Sequence, residues 1–185
     1  MINSLIILDG NLLLWIQRAL IHDSLTPFFS FVTRLGNQGA VWIAISIILL
    51  IFRKTRHVGI ILSLSLIGSL IINNLIFKNL IERTRPYDVV SGVRLLIERQ
   101  TDFSFPSGHT GSSFAAAIVL LKELPKKYGI PAVILATFIS ISRIYLGVHY
   151  PSDVLFGAVS GCLIAIVVRR IYYIIVKKKL KIRIK

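Results

Sequence analysis

Three short polar stretches of this 185-residue chain carry side chains whose types and spacing could do chemistry: Lys78 to Pro86, Pro106 to His109, and Ser142 to Asp153. Together they supply Lys78, Arg85 and Arg143, the imidazoles of His109 and His149, and the carboxylate of Asp153. Fixed cations hold and stabilise phosphate oxygens, and an imidazole can attack phosphorus or protonate a leaving group. The set is therefore an inventory for binding a phosphate group and transferring it.

Each stretch has its own local logic. Lys78 and Arg85 are seven residues apart, a separation that returns almost to the same face of a helix. A helix continuing to about Arg85, with Pro86 favouring its end, would let both side chains reach one anion. Arg83 lies off that face and reads as a juxtamembrane cation. Pro106, Ser107 and Gly108 open an apolar helix. Such a start leaves free backbone N–H groups and a positive dipole end, and Gly108 permits close approach of the backbone to a ligand. His109 then falls in the first turn. Ser107 as a nucleophile lacks the Gly-x-Ser-x-Gly elbow.

In the third stretch Arg143 closes one apolar span and Pro151 suits the first turn of the next. His149 precedes that helix and Asp153 lies in its first turn. A carboxylate four positions after an imidazole can accept its N–H and set its tautomer, leaving the other nitrogen free to attack phosphorus. His109, His149 and Asp153 could instead ligate zinc, but three adjacent cations would repel a divalent ion. No metal and no other cofactor is expected.

The elements that must position these groups are membrane spans. The chain is 55% hydrophobic with a mean hydropathy of +0.76, above the roughly 45–50% apolar content of soluble domains. Five spans are readable: Gly39 to Phe52, His57 to Phe77, Ser107 to about Leu121, Ile130 to about Tyr145, and Ser152 to Val176. Leu5 to Ile21 is broken by Asp9, Asn11, Gln17 and Arg18. Leu25 to Leu35 is too short to span. Both read as amphipathic helices lying in the interface, with a sixth, poor span over Ile2 to Ile21 as the alternative. The predicted fold is all-α, a polytopic transmembrane helix bundle. It divides into N-terminal interfacial helices over 1–36, a core over 37–176 and a basic tail over 177–185.

The net charge of +14 sits mostly at span ends, where it sets topology and meets anionic lipid; a nucleic-acid partner is not expected. Cys162, the single cysteine, allows neither an intramolecular disulfide nor a cysteine zinc cluster. The first residues lack the basic n-region of a cleavable signal peptide. Arg53, Lys54 and Arg56, then Lys122, Lys126 and Lys127, then the C-terminal lysines alternate onto one face. The positive-inside rule makes that face cytoplasmic. All three polar stretches then fall together on the extracytoplasmic side of a cell membrane.

The joint pattern resembles the type-2 phosphatidic acid phosphatase superfamily, membrane lipid-phosphate phosphatases that share a helical core with vanadium-dependent haloperoxidases. The family's motifs, Lys-x6-Arg-Pro, Pro-Ser-Gly-His and Ser-Arg-x5-His-x3-Asp, match at Lys78/Arg85/Pro86, at Pro106 to His109, and at Ser142/Arg143/His149/Asp153. The resemblance covers roughly residues 30 to 175. It implies that His149 is the nucleophile, that Asp153 orients it, and that His109 is the general acid for the leaving lipid oxygen. It also implies that Lys78, Arg85, Arg143, Ser107 and Gly108 bind the phosphate, without metal. The expected substrate is a membrane lipid phosphate, with undecaprenyl diphosphate and phosphatidylglycerophosphate undivided by the sequence. A lipid-to-lipid phosphotransferase and a non-catalytic lipid transporter are the other readings.

Overall fold

In the computed structural model the backbone is described for residues 2–183, and side chains for residues 7–176 and Lys178. Most side chains of the basic tail thus lie outside the described residues. Helix α1 spans Ile2–Leu20, α2 Thr26–Leu35, α3 Ala40–Ile51, α4 Arg56–Ser69, α5 Lys78–Ile81, α6 Pro86–Val89, α7 Gly108–Glu123, α8 Lys126–Tyr145 and α9 Pro151–Arg183. Among the described residues, three stretches are long and apolar enough to cross a bilayer: Arg56–Val89, Lys126–Tyr145 and Pro151–Val176.

A further apolar unit is made of α2 and α3 together, bent by 43°. The bend sits at Asn37–Gly39, where Gln38 and Gly39 take positive φ values of 51° and 72°. Leu25 to Leu35, expected as a separate interfacial helix, is thus continuous with the first expected span. The third expected span is α7, only 16 residues long, or about 24 Å at 1.5 Å per residue. It is the central helix, packed against α4, α8 and α9.

Small residues explain how α7 takes the centre. Ala115, Ala116 and Ala117 are fully buried. Gly157 and Gly161 of α9 form a small-xxx-small face, which lets helix backbones approach closely. A Cβ at Gly157 would stand 2.8 Å from the Ser107 carbonyl oxygen, and one at Gly161 would meet the Gly111 oxygen and the Ala115 nitrogen. Around this seam Trp42, Val58, Ile61, Leu62, Val119 and Ile139 close the core. The Trp42 indole N–H donates to Ser113 Oγ at 2.9 Å, satisfying its one polar atom.

Two of the polar breaks in α1, Asp9 and Gln17, face inward, while Asn11 and Arg18 are exposed. Gln17 is buried; its amide donates to the carbonyls of Arg94 (2.9 Å) and Tyr145 (3.1 Å) and accepts from the Arg94 N–H (3.0 Å). Ile7, Leu8, Leu12 and Trp15 are exposed apolar side chains. Asp9 and Gln17 make tertiary contacts, which their spacing alone does not reveal.

After Ser69 the rod widens into a π-helical stretch, Leu70–Phe77; such wide turns recur at functional sites. The buried Asn73 there accepts from Ser160 Oγ at 2.8 Å, tying α9 to the approach to Lys78. The helix then ends at Ile81, where Glu82 adopts φ 47°, and Arg85 is extended. Lys78 and Arg85 therefore do not share a helix face. A left-handed residue closes the helix three positions before Arg85, and the chain loops back instead.

Candidate active site

The ends of α5, α7, α8 and α9 meet at one end of the bundle, opposite the short α3–α4 and α7–α8 connections. Ser107 is the N-cap of α7. Its hydroxyl accepts from Thr110 Oγ1 at 3.0 Å and from the Thr110 N–H at 3.4 Å, the capping role that its residue type favours. The Ser107 N–H donates to the Asp153 carbonyl at 3.1 Å, so the starts of α7 and α9 are tied together. Gly108 is needed where it stands: a Cβ would come within 2.8 Å of the Asn74 side chain.

At the end of α8, Gly147 turns the chain with φ 77°. The N–H groups of Val148 and His149 then donate back to the Arg143 carbonyl at 3.2 and 3.3 Å. This places Arg143 and His149 side by side. Both are almost fully buried. Arg143 donates through Nη1 to Thr33 Oγ1 at 2.7 Å, and its buried Nε has no protein partner.

Lys78, Arg85, Gly108, His109, Arg143 and His149 all line one cavity of about 620 Å³. Ser107 is buried behind it. Of the residues singled out in the sequence, the structure thus brings every cation and both imidazoles to one void, with Asp153 directly behind His149. Arg85 donates through Nη1 to the Val148 carbonyl at 2.7 Å and reaches His149 Nε2 at 3.2 Å. A guanidinium has no acceptor, so Nε2 carries the lone pair. The ring proton sits on Nδ1, which faces Asp153 Oδ2 at 3.4 Å and Ser104 Oγ at 3.5 Å. Burial, together with Arg85, Arg143 and Lys78, holds the imidazole well below its ordinary pKa. His149 is thus a neutral base whose free nitrogen faces the cations. His109 lies across the cavity, its Nε2 paired with Asn37 Oδ1 at 2.9 Å.

Three contributors escaped the sequence reading. Asp102 bridges the cations through an ion pair with Lys78 and a 2.6 Å pair with Arg85 Nη2. Its carboxyl would be raised by burial, but Lys78 and Arg85 outweigh that and pull it down to about 2. Ser104 donates to Asp153 Oδ2 at 2.5 Å. Arg83 donates to Asp153 Oδ1 at 2.7 Å and is no mere juxtamembrane cation. Asp102 and Ser104 sit in an aperiodic loop; their one sequence signal is polarity just before Pro106.

Ile43 and Ile47 of α3, Leu66 and Ile67 of α4, and Leu70 also line the cavity, together with Ser46, Ser63 and Ser69. The void therefore carries an apolar portion of wall besides its cations and imidazoles.

The family model of the PAP2 superfamily matches residues 58–177. Undecaprenyl-diphosphatase of Sulfolobus acidocaldarius is 36% identical over 138 residues, 75% of this chain and 66% of that one. Phosphatidylglycerophosphatase B of Bacillus subtilis is 35% identical over 151 residues, covering 75% and 70%. The crystal structure of Aquifex aeolicus LpxE superposes with a TM-score of 0.77 at 30% identity, covering 86% of this chain and 93% of that one. The chain spans just under two thirds of the Sulfolobus relative's length and half or less of some other curated relatives. The matched region runs from α4 into α9 and contains all three polar stretches, so this chain belongs to the PAP2 superfamily.

Proposed function

We propose that the protein is a membrane phosphatase that hydrolyses a lipid phosphate or diphosphate through a phosphohistidine intermediate. The observation that carries this reading is the orientation of His149, whose lone-pair nitrogen faces Arg85 in the cavity that also holds Lys78, Arg143 and His109. In the first step Nε2 attacks phosphorus and the bond from phosphorus to the lipid oxygen breaks. His109 gives that oxygen a proton. Asp153 stabilises the imidazolium from the Nδ1 side, while Lys78, Arg85 and Arg143 stabilise charge on the equatorial oxygens. In the second step water attacks phosphorus, His109 takes its proton, and the P–N bond breaks to release phosphate and restore His149. The fixed cations supply the charge stabilisation, so the cycle needs no metal.

The apolar residues that α3 and α4 give the cavity wall support a lipid substrate whose tail stays in the hydrophobic phase. The names of the Sulfolobus and Bacillus relatives favour undecaprenyl diphosphate and phosphatidylglycerophosphate. Five membrane passes, with α7 as the short central one, put the basic α3–α4 and α7–α8 connections in the cytoplasm and the cavity at the outer face of the plasma membrane. The test is phosphate release by purified protein in detergent with EDTA, across undecaprenyl diphosphate, phosphatidylglycerophosphate and phosphatidate. Release from at least one, without an acceptor lipid, is expected. Turnover only when an acceptor lipid is added would make the protein a phosphotransferase, and intact substrate throughout would remove the catalytic reading.

A further inference from the structure

A second charged cluster lies behind the site, away from the cavity. Arg83, in the turn after α5, donates through Nη1 to Asp153 Oδ1 (2.7 Å) and Ser152 Oγ (2.8 Å), and through Nη2 to Asp9 Oδ2 (2.8 Å). Its guanidinium lies 3.7 Å over the Tyr150 ring centre. Asp9, from α1, also accepts from the Ser152 N–H at 3.1 Å and from the Ser152 hydroxyl. The side chains are 16% exposed for Arg83, 11% for Asp9 and 0% for Asp153, so this is a buried, networked pair rather than a screened surface one. Three separate elements, α1, the turn after α5 and the start of α9, converge on the catalytic carboxylate.

We propose that Arg83 and Asp9 are positioning residues for catalysis, an outer ion pair that sets the orientation and charge of Asp153 and so the readiness of His149. The proposal rests on the phosphohistidine reading above. Asp153 must stay ionised to accept the Nδ1–H of His149. Burial works against the charged form; Arg83, the Ser104 hydroxyl and the Tyr150 N–H, all donating to the carboxylate, work for it. A full guanidinium charge on Asp153 would in turn weaken its hold on the imidazolium. Asp9 shares that charge. The contact from Asp153 to His149 is long, at 3.4 Å, while Oδ1 is held at 2.7 Å. Arg83 on Oδ1, with Ser104 and the Tyr150 N–H on Oδ2, thus holds the carboxylate more closely than His149 does.

The test compares Asp9→Asn, Asp9→Glu and Arg83→Ala with the unsubstituted protein in full-length, detergent-purified form, on whichever lipid phosphate the panel identifies. His149 faces Arg85, Arg143, Lys78 and Asp102 from the cavity and Asp153 from behind. Asp9→Asn leaves more of the Arg83 charge acting on this group. It should lower kcat about tenfold, leave KM within twofold and move the acid limb of the kcat/KM profile to lower pH. Asp9→Glu should restore most of the loss. In the Arg83→Ala background, itself slower by about a hundredfold, Asp9→Asn should change nothing further. Unchanged kcat and pH profile in Asp9→Asn would overturn the proposal. So would a loss that appears in KM alone, that Asp9→Glu fails to rescue, or that accompanies a fall in thermal midpoint and phosphate binding. Unsubstituted protein that turns over without phosphorylated His149 would instead remove the underlying reading, and this proposal with it.

Discussion

Asp102 occupies the cations that a phosphate group must use, and replacing it isolates that competition. In Asp102→Asn the backbone carbonyl of residue 102 still accepts from Arg85 Nε, at 3.0 Å, and Val148 still holds Arg85 Nη1. The guanidinium therefore keeps its aim while one negative charge leaves the anion pocket. Two unit charges about 5 Å apart interact by roughly 3 kcal/mol at an effective dielectric of 20. The Asp102 side chain is 50% exposed, and solvent screening reduces this to about 1.4 kcal/mol, a tenfold change in an equilibrium constant. The inhibition constant for inorganic phosphate and the KM for a lipid phosphate should both fall about tenfold, with kcat within threefold. With its pKa at about 2, Asp102 is ionised throughout the working range. The effect should therefore be level from pH 5 to pH 8. Phosphate inhibition curves at several pH values measure this. Weaker phosphate binding in the variant would refute the reasoning and show that Asp102 organises the cations rather than competing for them.

Other perturbations separate the remaining roles. His149→Ala should abolish phosphate release while retaining phosphate binding measured by calorimetry, because the cations are untouched. Arg143→Lys keeps the charge but loses the planar fork and the Thr33 contact, and should cut kcat/KM by at least tenfold; full activity would demote Arg143 to a topology anchor. Gly157→Val should crowd the Ser107 carbonyl and lower stability by roughly 1–3 kcal/mol, seen as a lower thermal midpoint in detergent with activity falling in step.

Much of the site was legible because helix starts are local. The caps at Ser107 and Pro151 are written in residue type, and they place His109, His149 and Asp153 correctly in first turns or just before them. The spacing from Lys78 to Arg85 reached the right partners by the wrong route. A left-handed turn at Glu82 breaks the helix, and only the tertiary fold brings Arg85 back. The role of Arg83 is hidden in the sequence for a related reason. Its significance depends on Asp9, which is 74 residues away, and no periodicity links the two. The polar interruptions of α1 looked like an interfacial face because burial of Gln17 and Asp9 is decided by partners far along the chain. The third expected span, Ser107 to about Leu121, falls on α7, a short helix whose small residues pack against α4, α8 and α9.

The most direct test is to quench the protein during turnover in alkali, which preserves phosphohistidine, and to map the labelled residue by mass spectrometry. The account predicts an acid-labile phosphoryl group on His149 that forms and decays at rates compatible with kcat and is absent in His149→Ala. Turnover with no phosphorylated His149, or with the label on another residue, would contradict it.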